Sequence, residues 1–176
     1  MVLSSPENLE RGLSFENWLL KNVFPRHRKN RGKYDIDLVL PGYPAIEVKF
    51  EGSPFAPRKP NGQLENLCVQ LTEMKYYGPL KPAGPWKAYN ECRDALYVVG
   101  EKCAVNGYRF VMITTAIELK HACRDYLPGG PKHVPENLLF CKDGSQKITA
   151  KVPLSDLSHI NRPLSWAMDF LYRGRD

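Results

Sequence analysis

Apolar and polar positions along this chain change period several times, and each change marks an element. Phe15, Trp18 and Leu19 recur at helical spacing behind Ser5-Pro6-Glu7, which supplies a capping hydroxyl, a first-turn proline and an acid near the positive end of the helix dipole. This predicts a helix from about Pro6 to Asn22, with Gly12 as its weak point. Strict alternation follows from Tyr34 to Leu40 and again from Ala45 to Phe50, on either side of Pro41-Gly42-Tyr43-Pro44, which predicts a strand, a turn and a strand. Pro54, Pro57 and Pro60 keep residues 51–62 irregular.

Beyond them, Leu64, Leu67, Leu71 and Met74 fall on one side of a helix over Gln63 to Tyr77, which the Pro/Gly stretch from Gly78 to Pro85 ends. Lys87 to Cys103 suits a helix through Tyr89, Cys92, Leu96, Val99 and Cys103, although Ala95 to Val99 alone also suits a strand. Tyr108 to Thr114 is rich in β-formers and predicts a central strand. A helix over Glu118 to Tyr126 follows, then the breaker Pro128 to Pro131, short strands at Leu138 to Cys141 and Lys147 to Val152, and a closing helix at Leu164 to Tyr172. Mixing of the two element types predicts an α/β fold, a mixed sheet with helices packed on it, in a single domain over residues 1–176.

Composition narrows the class. No apolar run is long enough to span a bilayer, and MVLSSPENLE has neither a basic lead nor an apolar signal core, so the expectation is a cytoplasmic protein, within the host cell if phage-encoded. Five widely separated cysteines, with no Cys-x-x-Cys, match neither a disulfide framework nor a zinc site. His27, His121, His133 and His159 are isolated, and no glycine-rich phosphate loop follows a strand. The net charge is +6, and its placement matters more than its size. Lys21, Arg26, Arg28, Lys29, Arg31 and Lys33 lie in one stretch without an acid, while the rest of the chain carries equal numbers of basic and acidic residues. Such a run suits a phosphate backbone.

Chemistry enters at the two alternating segments. Side chains on a strand alternate between faces, so Asp35, Asp37 and Val39 share one face and Ile36, Leu38 and Leu40 the other; Glu47 and Lys49 likewise oppose Ile46, Val48 and Phe50. Parity then fixes the pairing. A four-residue loop sets Asp37 opposite Val48, whereas a three-residue loop over Pro41-Gly42-Tyr43 sets Asp37 opposite Glu47 and Asp35 opposite Lys49, and only the second keeps both faces consistent. Two facing carboxylates repel unless a positive charge lies between them, and a divalent cation would serve.

Asp37-Leu38-Val39-Leu40 followed by Ala45-Ile46-Glu47-Val48-Lys49 resembles the core motif of the PD-(D/E)xK nuclease superfamily, an Asp opening a hydrophobic strand and Glu-x-Lys on the next. The resemblance covers roughly the first 50 residues, and the proline before the Asp is absent. It implies a restriction-endonuclease-like mixed β-sheet flanked by helices, and Mg²⁺ or Mn²⁺ held by Asp37, Glu47 and the Val48 carbonyl. Lys49 would assist the attacking water, and Glu16 on the first helix would complete the catalytic set. Asp35 competes with Asp37, and Glu10 with Glu16. Arg26, Arg28, Lys29, Arg31, Lys33, Arg58 and Lys59 are the expected nucleic-acid contacts, and Gln70, Lys75 and Tyr76 match auxiliary polar residues of some members. The implied activity is metal-dependent DNA endonuclease action by a homodimer of the restriction, homing or phage type. A Holliday-junction resolvase of the same fold and a non-catalytic nucleic-acid-binding module are the alternatives.

Overall fold

The computed structural model describes residues 6–30, 36–52, 56–74, 79, 81–103, 107–133, 138–140 and 146–173. Helix α1 spans Pro6–Asn22, as its capping and spacing predict. It buries Phe15 and Leu19 completely, and the chain beyond it adds Val23 and Phe24 to the same cluster. They pack on Leu38, Ile46, Val48, Leu96, Val98 and Ile113, which line one face of a sheet, and helix α4 (Leu164–Tyr172) adds Ala167 and Leu171.

That sheet has five strands: β1 (Arg28–Lys29), β2 (Leu38–Val39), β3 (Ile46–Phe50), β6 (Leu96–Cys103) and β7 (Gly107–Thr115), adjacent in that order. β3 and β6 run parallel and the other neighbours antiparallel, so the sheet is mixed. The connection between the parallel strands carries three elements: β4 (Asn66–Met74), β5 (Lys81–Pro82) and α2 (Gly84–Glu91). A second, antiparallel sheet orders β5, β4, β9 (Gln146–Pro153) and β8 (Leu138–Phe140). Its Leu67, Val69, Leu71, Ala150 and Val152 meet the other face of the first sheet at Tyr97 and Val99, together with Ala88 of α2 and Leu119 of α3 (Ala116–Ala122). The five-stranded sheet is therefore covered on both sides, and β6 is buried from Leu96 to Glu101.

Several expectations change in the structure. The helix over Gln63 to Tyr77 is instead strand β4, with residues 75–77 outside the described set. Leu64, Leu67 and Leu71 fit helical spacing, but Leu67 and Val69 alternate with exposed Cys68, and β9 satisfies the backbone through the pairs Leu67↔Val152 and Val69↔Ala150. The helix over Lys87 to Cys103 splits into α2 and β6, so the strand reading of Ala95 to Val99 holds and extends further. β7 lies at the edge of its sheet and not at its centre. The chain covers part of that edge at Ile113: Asn161 accepts from the Ile113 amide at 3.0 Å and Arg162 donates its amide to the Ile113 carbonyl at 2.8 Å. The first predicted strand shortens to Leu38–Val39, and Ile36 turns into the opposite cluster from Leu38.

The late elements follow their predictions closely, with α3 started by a reciprocal cap between Thr115 and Glu118 and continued by a 3₁₀ turn at Arg124–Tyr126. Among the described residues no helix is long and apolar enough to cross a membrane.

Docking of α1 depends on one missing side chain. A β-carbon built on Gly100 of β6 would lie 2.1 Å from the Phe15 ring. Gly100→Ala should therefore destabilise the fold by about 1–3 kcal/mol, the usual cost of overpacking. The check is chemical denaturation of both single variants and the Gly100→Ala/Phe15→Leu double variant. Less-than-additive loss is expected, and an unchanged midpoint for Gly100→Ala would contradict this packing.

Candidate active site

Strands β2 and β3 pair antiparallel with Leu38 opposite Ile46. Continuing that register by one residue sets Asp37 opposite Glu47, the pairing that parity predicts. Leu38, Ile46 and Val48 go to the α1 side, so Glu47 and Lys49 project from the other face, where Tyr97 and Val99 are their partners on β6. Gly42, at φ +82°, supplies the left-handed residue of the connecting turn, in which the Tyr43 amide donates to the Leu40 carbonyl at 3.0 Å.

Asp37 lies where β2 begins, and its Oδ2 accepts the Val48 amide at 2.8 Å. The main chain of Val48 faces β2 because the alternate residues Ala45 and Glu51 bond to β6, through the Leu96 amide and the Gly100 carbonyl. Between the acids stands the Lys49 ammonium, 2.5 Å from Glu47 Oε1 and 4.0 Å from Asp37 Oδ2. The positive charge that facing carboxylates require is thus present as a side chain.

Electrostatics follow from burial. Glu47 is only 6% exposed, and desolvation raises its pKa; Lys49 opposes the rise and Asp37 adds to it. Burial works against the Lys49 ammonium, yet Glu47, Tyr97 and Asp37 together outweigh it and hold its pKa above the ordinary lysine range. Tyr97, buried beside the pair, is pushed up chiefly by desolvation and stays a neutral phenol.

Glu16 on α1 reaches the same region. Its pKa is raised by burial and then by Asp37, with Lys29 and Lys49 countering, and Lys29 Nζ lies 3.2 Å from its carboxylate. Asp37, Glu47, Lys49 and Glu16 therefore form one interacting group. Exposed Glu10 has no place in it.

Residues expected to meet nucleic acid take several roles. Arg26, exposed, lies 4.9 Å from the ring centres of both Tyr43 and Tyr172 and donates to the Tyr43 hydroxyl. Lys29 serves Glu16, and Arg28 remains exposed on β1. Arg58 pairs with buried Glu101, and Lys59 lines a separate cleft. Arg31, Lys33, Asp35, Lys75 and Tyr76 lie outside the described residues. Gln70 lines a cavity of about 190 Å³ with Lys49, Glu51 and Tyr97, but from a strand and not from the expected helix.

Two further groups escaped prediction. Glu51 continues the Glu47–Lys49 face by the same parity and was legible; burial raises its pKa, and it receives a long contact from the Cys68 amide. Tyr97 could be placed only through the β3–β6 register.

Asp37 and Glu47, facing each other with Lys49 against both, are the oxygen donors at this position that a hard cation such as Mg²⁺ or Mn²⁺ would use. Among the described residues no three His, Cys, Asp or Glu side chains converge as a fuller metal cage. No protein-family model matches the chain, and comparison with curated proteins and with solved structures finds no match.

The basic segment also contains a pH-sensitive tie. His27, buried, donates from Nε2 to the Pro44 carbonyl at 3.1 Å, and its Nδ1 lies 3.1 Å from the Tyr172 hydroxyl, which can donate to it in the neutral ring. Burial lowers its pKa below the ordinary value of 6.5, so the unfolded state protonates first on acidification. The stability this group contributes is present above that value and falls away as pH drops through it. Unfolding midpoints between pH 7.5 and 5.5 should decline more steeply in the parent than in His27→Gln; parallel slopes would exclude His27 as the source.

Proposed function

We propose that this chain is a divalent-metal-dependent nuclease of the PD-(D/E)xK type, with a restriction-endonuclease-like fold. The observation that carries this reading is the register that faces Asp37 with Glu47 while Lys49 reaches both. A helix ahead of the hairpin and a parallel strand beside β3 support it. DNA is the proposed substrate and a homodimer the proposed active form, since cutting two strands needs two centres.

Asp37, Glu47 and the Val48 carbonyl would hold Mg²⁺ or Mn²⁺, which supplies Lewis acidity and an activated water at phosphorus. The chain's own contributions follow from its geometry. The Asp37 carboxylate is oriented by the Val48 amide, which leaves its second oxygen for a ligand. Lys49, held as a cation, donates toward the charge that builds on the scissile phosphate or orients the attacking water. Its present partner Glu47 must release it in part as a phosphate enters, an exchange of one anion for another. Glu16 and Lys29 close the approach from α1 and set the local charge balance.

One observation favours a non-catalytic nucleic-acid-binding module. The Lys49 ammonium already lies against both facing acids, so part of the charge a cation would balance is met by a side chain. Activity distinguishes the two.

Purified protein incubated with supercoiled plasmid and with a four-way junction in Mg²⁺, Mn²⁺ or EDTA should cleave only with metal. Glu47→Ala and Lys49→Ala should each reduce cleavage by about 100-fold or more, the scale of losing a transition-state contact. Preference for the junction would assign a resolvase. Salt-sensitive binding with no cleavage of either substrate in either metal would assign the binding module.

A further inference from the structure

A second cleft, of about 460 Å³, opens between the edge of β7, the loop around Lys59 to Leu64 and the segment from Leu154 to Asn161. At its base lies Glu101, only 2% exposed and held between two guanidinium groups. Arg109 Nε donates to Oε1 at 2.6 Å, and Arg58 stands 2.7 Å from Oε2 without an aligned hydrogen bond. The Gly62 carbonyl accepts from both arginines at 2.9 Å, so the two cations are fixed by a shared pair of acceptors.

Glu51 also interacts with Glu101 and Arg58, so the two arginines are matched by two acids. Lys59, which lines the cleft and has no ion-pair partner among the described residues, supplies the unmatched positive charge. Together with the exposed part of the Arg109 side chain it favours an anion. The cleft is nevertheless far larger than a bare phosphate requires, and falls within the range of about 300–1,000 Å³ usual for small-molecule pockets. Its remaining wall combines Leu64, Leu154 and Leu157 with the Gln63 amide and the Ser155 hydroxyl. An anionic end, an apolar ring and a few edge hydrogen bonds are the matching ligand chemistry.

We propose that this cleft binds a nucleoside monophosphate unit, with its phosphate on Arg109 and Lys59 and its base over the leucine wall beside Gln63. The nucleotide identity rests on the nuclease reading; the anion preference rests on the cleft alone. Its position suits that role. Phe50 pairs with Gly100, and the Glu51 amide donates to the Gly100 carbonyl at 2.8 Å, so Glu101 follows directly where β3 leaves Lys49 behind. A strand that crossed the candidate active site toward β7 would run in the direction of this cleft. The unit held is either such a nucleotide or a free one.

Isothermal titration of the full chain in EDTA, which keeps metal out of the Asp37 site, tests the proposal. The ligands are thymidine 5′-monophosphate, thymidine, inorganic phosphate, and a short oligonucleotide with and without a 5′-phosphate. The monophosphate should bind at least tenfold more tightly than thymidine or phosphate. Lys59→Glu, on an exposed side chain, should weaken it at least tenfold with the unfolding midpoint unchanged, and Gln63→Ala should weaken monophosphate without affecting phosphate. Glu47→Ala should leave binding intact, so that nuclease failure and cleft failure are separable. Preference for the 5′-phosphorylated oligonucleotide over the monophosphate would assign the cleft to a strand end, and the reverse to a free nucleotide. No saturable monophosphate binding, equal affinity for phosphate alone, or insensitivity to Lys59→Glu would overturn the proposal.

Discussion

The parallel pair β3–β6 is covered on both faces, and most features of the molecule follow from that burial. Leu96 and Val98 turn to α1 and α4 while Tyr97 and Val99 turn to α2, α3 and the second sheet. Charged side chains on β3 must then stand inside or at the margin of a core, where an unpaired charge is strongly unfavourable. Glu47 is tolerated because Lys49 lies two residues away on the same face, and Glu101 because two arginines enclose it. In each pair the carboxylate is buried while the cation keeps about a third or more of its side chain in solvent, so neutralisation is reached without desolvating both partners.

Both charged groups occupy a single band across the first sheet. Asp37, Glu47 and Lys49 stand toward β2, and Glu101 with Arg58 and Arg109 stands beyond the last residues of β3. Each group is completed from outside the sheet: Glu16 and Lys29 approach the first from the α1 side, and the Arg58–Gly62 loop closes the second. Burial raises the pKa of the carboxylates at Glu16, Glu47 and Glu51, because desolvation disfavours their charged form. A phosphate-bearing ligand placed along this band would meet fixed cations at both ends.

The concentration of positive charge between Lys21 and Lys33 has a more divided use than its sequence suggests. Arg26 lies over the adjacent rings of Tyr43 and Tyr172, His27 ties the same turn to α4, and Lys29 neutralises Glu16. These contacts anchor the β2–β3 hairpin against the helical layer and so hold the acids in place. Arg28 remains as an outward cation on the described part of the run.

Local pattern was sufficient wherever a short loop or a single period decided the outcome. Helix α1 was legible from spacing and its capping residues and α4 from its local sequence, and the hairpin register from the parity of a three-residue turn, because flipping one strand by a residue would bury the acids among the leucines. Glu47, Lys49 and, by the same parity, Glu51 were therefore accessible from sequence. The strand β4 was not, since Leu64, Leu67 and Leu71 satisfy helical spacing and only the bonds to β9, some eighty residues away, select the extended form. Tyr97, the Arg58–Glu101–Arg109 group and the capture of Arg26 likewise needed the tertiary structure. Their partners meet through sheet pairing and layer packing, and neither period nor composition encodes which distant residue will stand opposite.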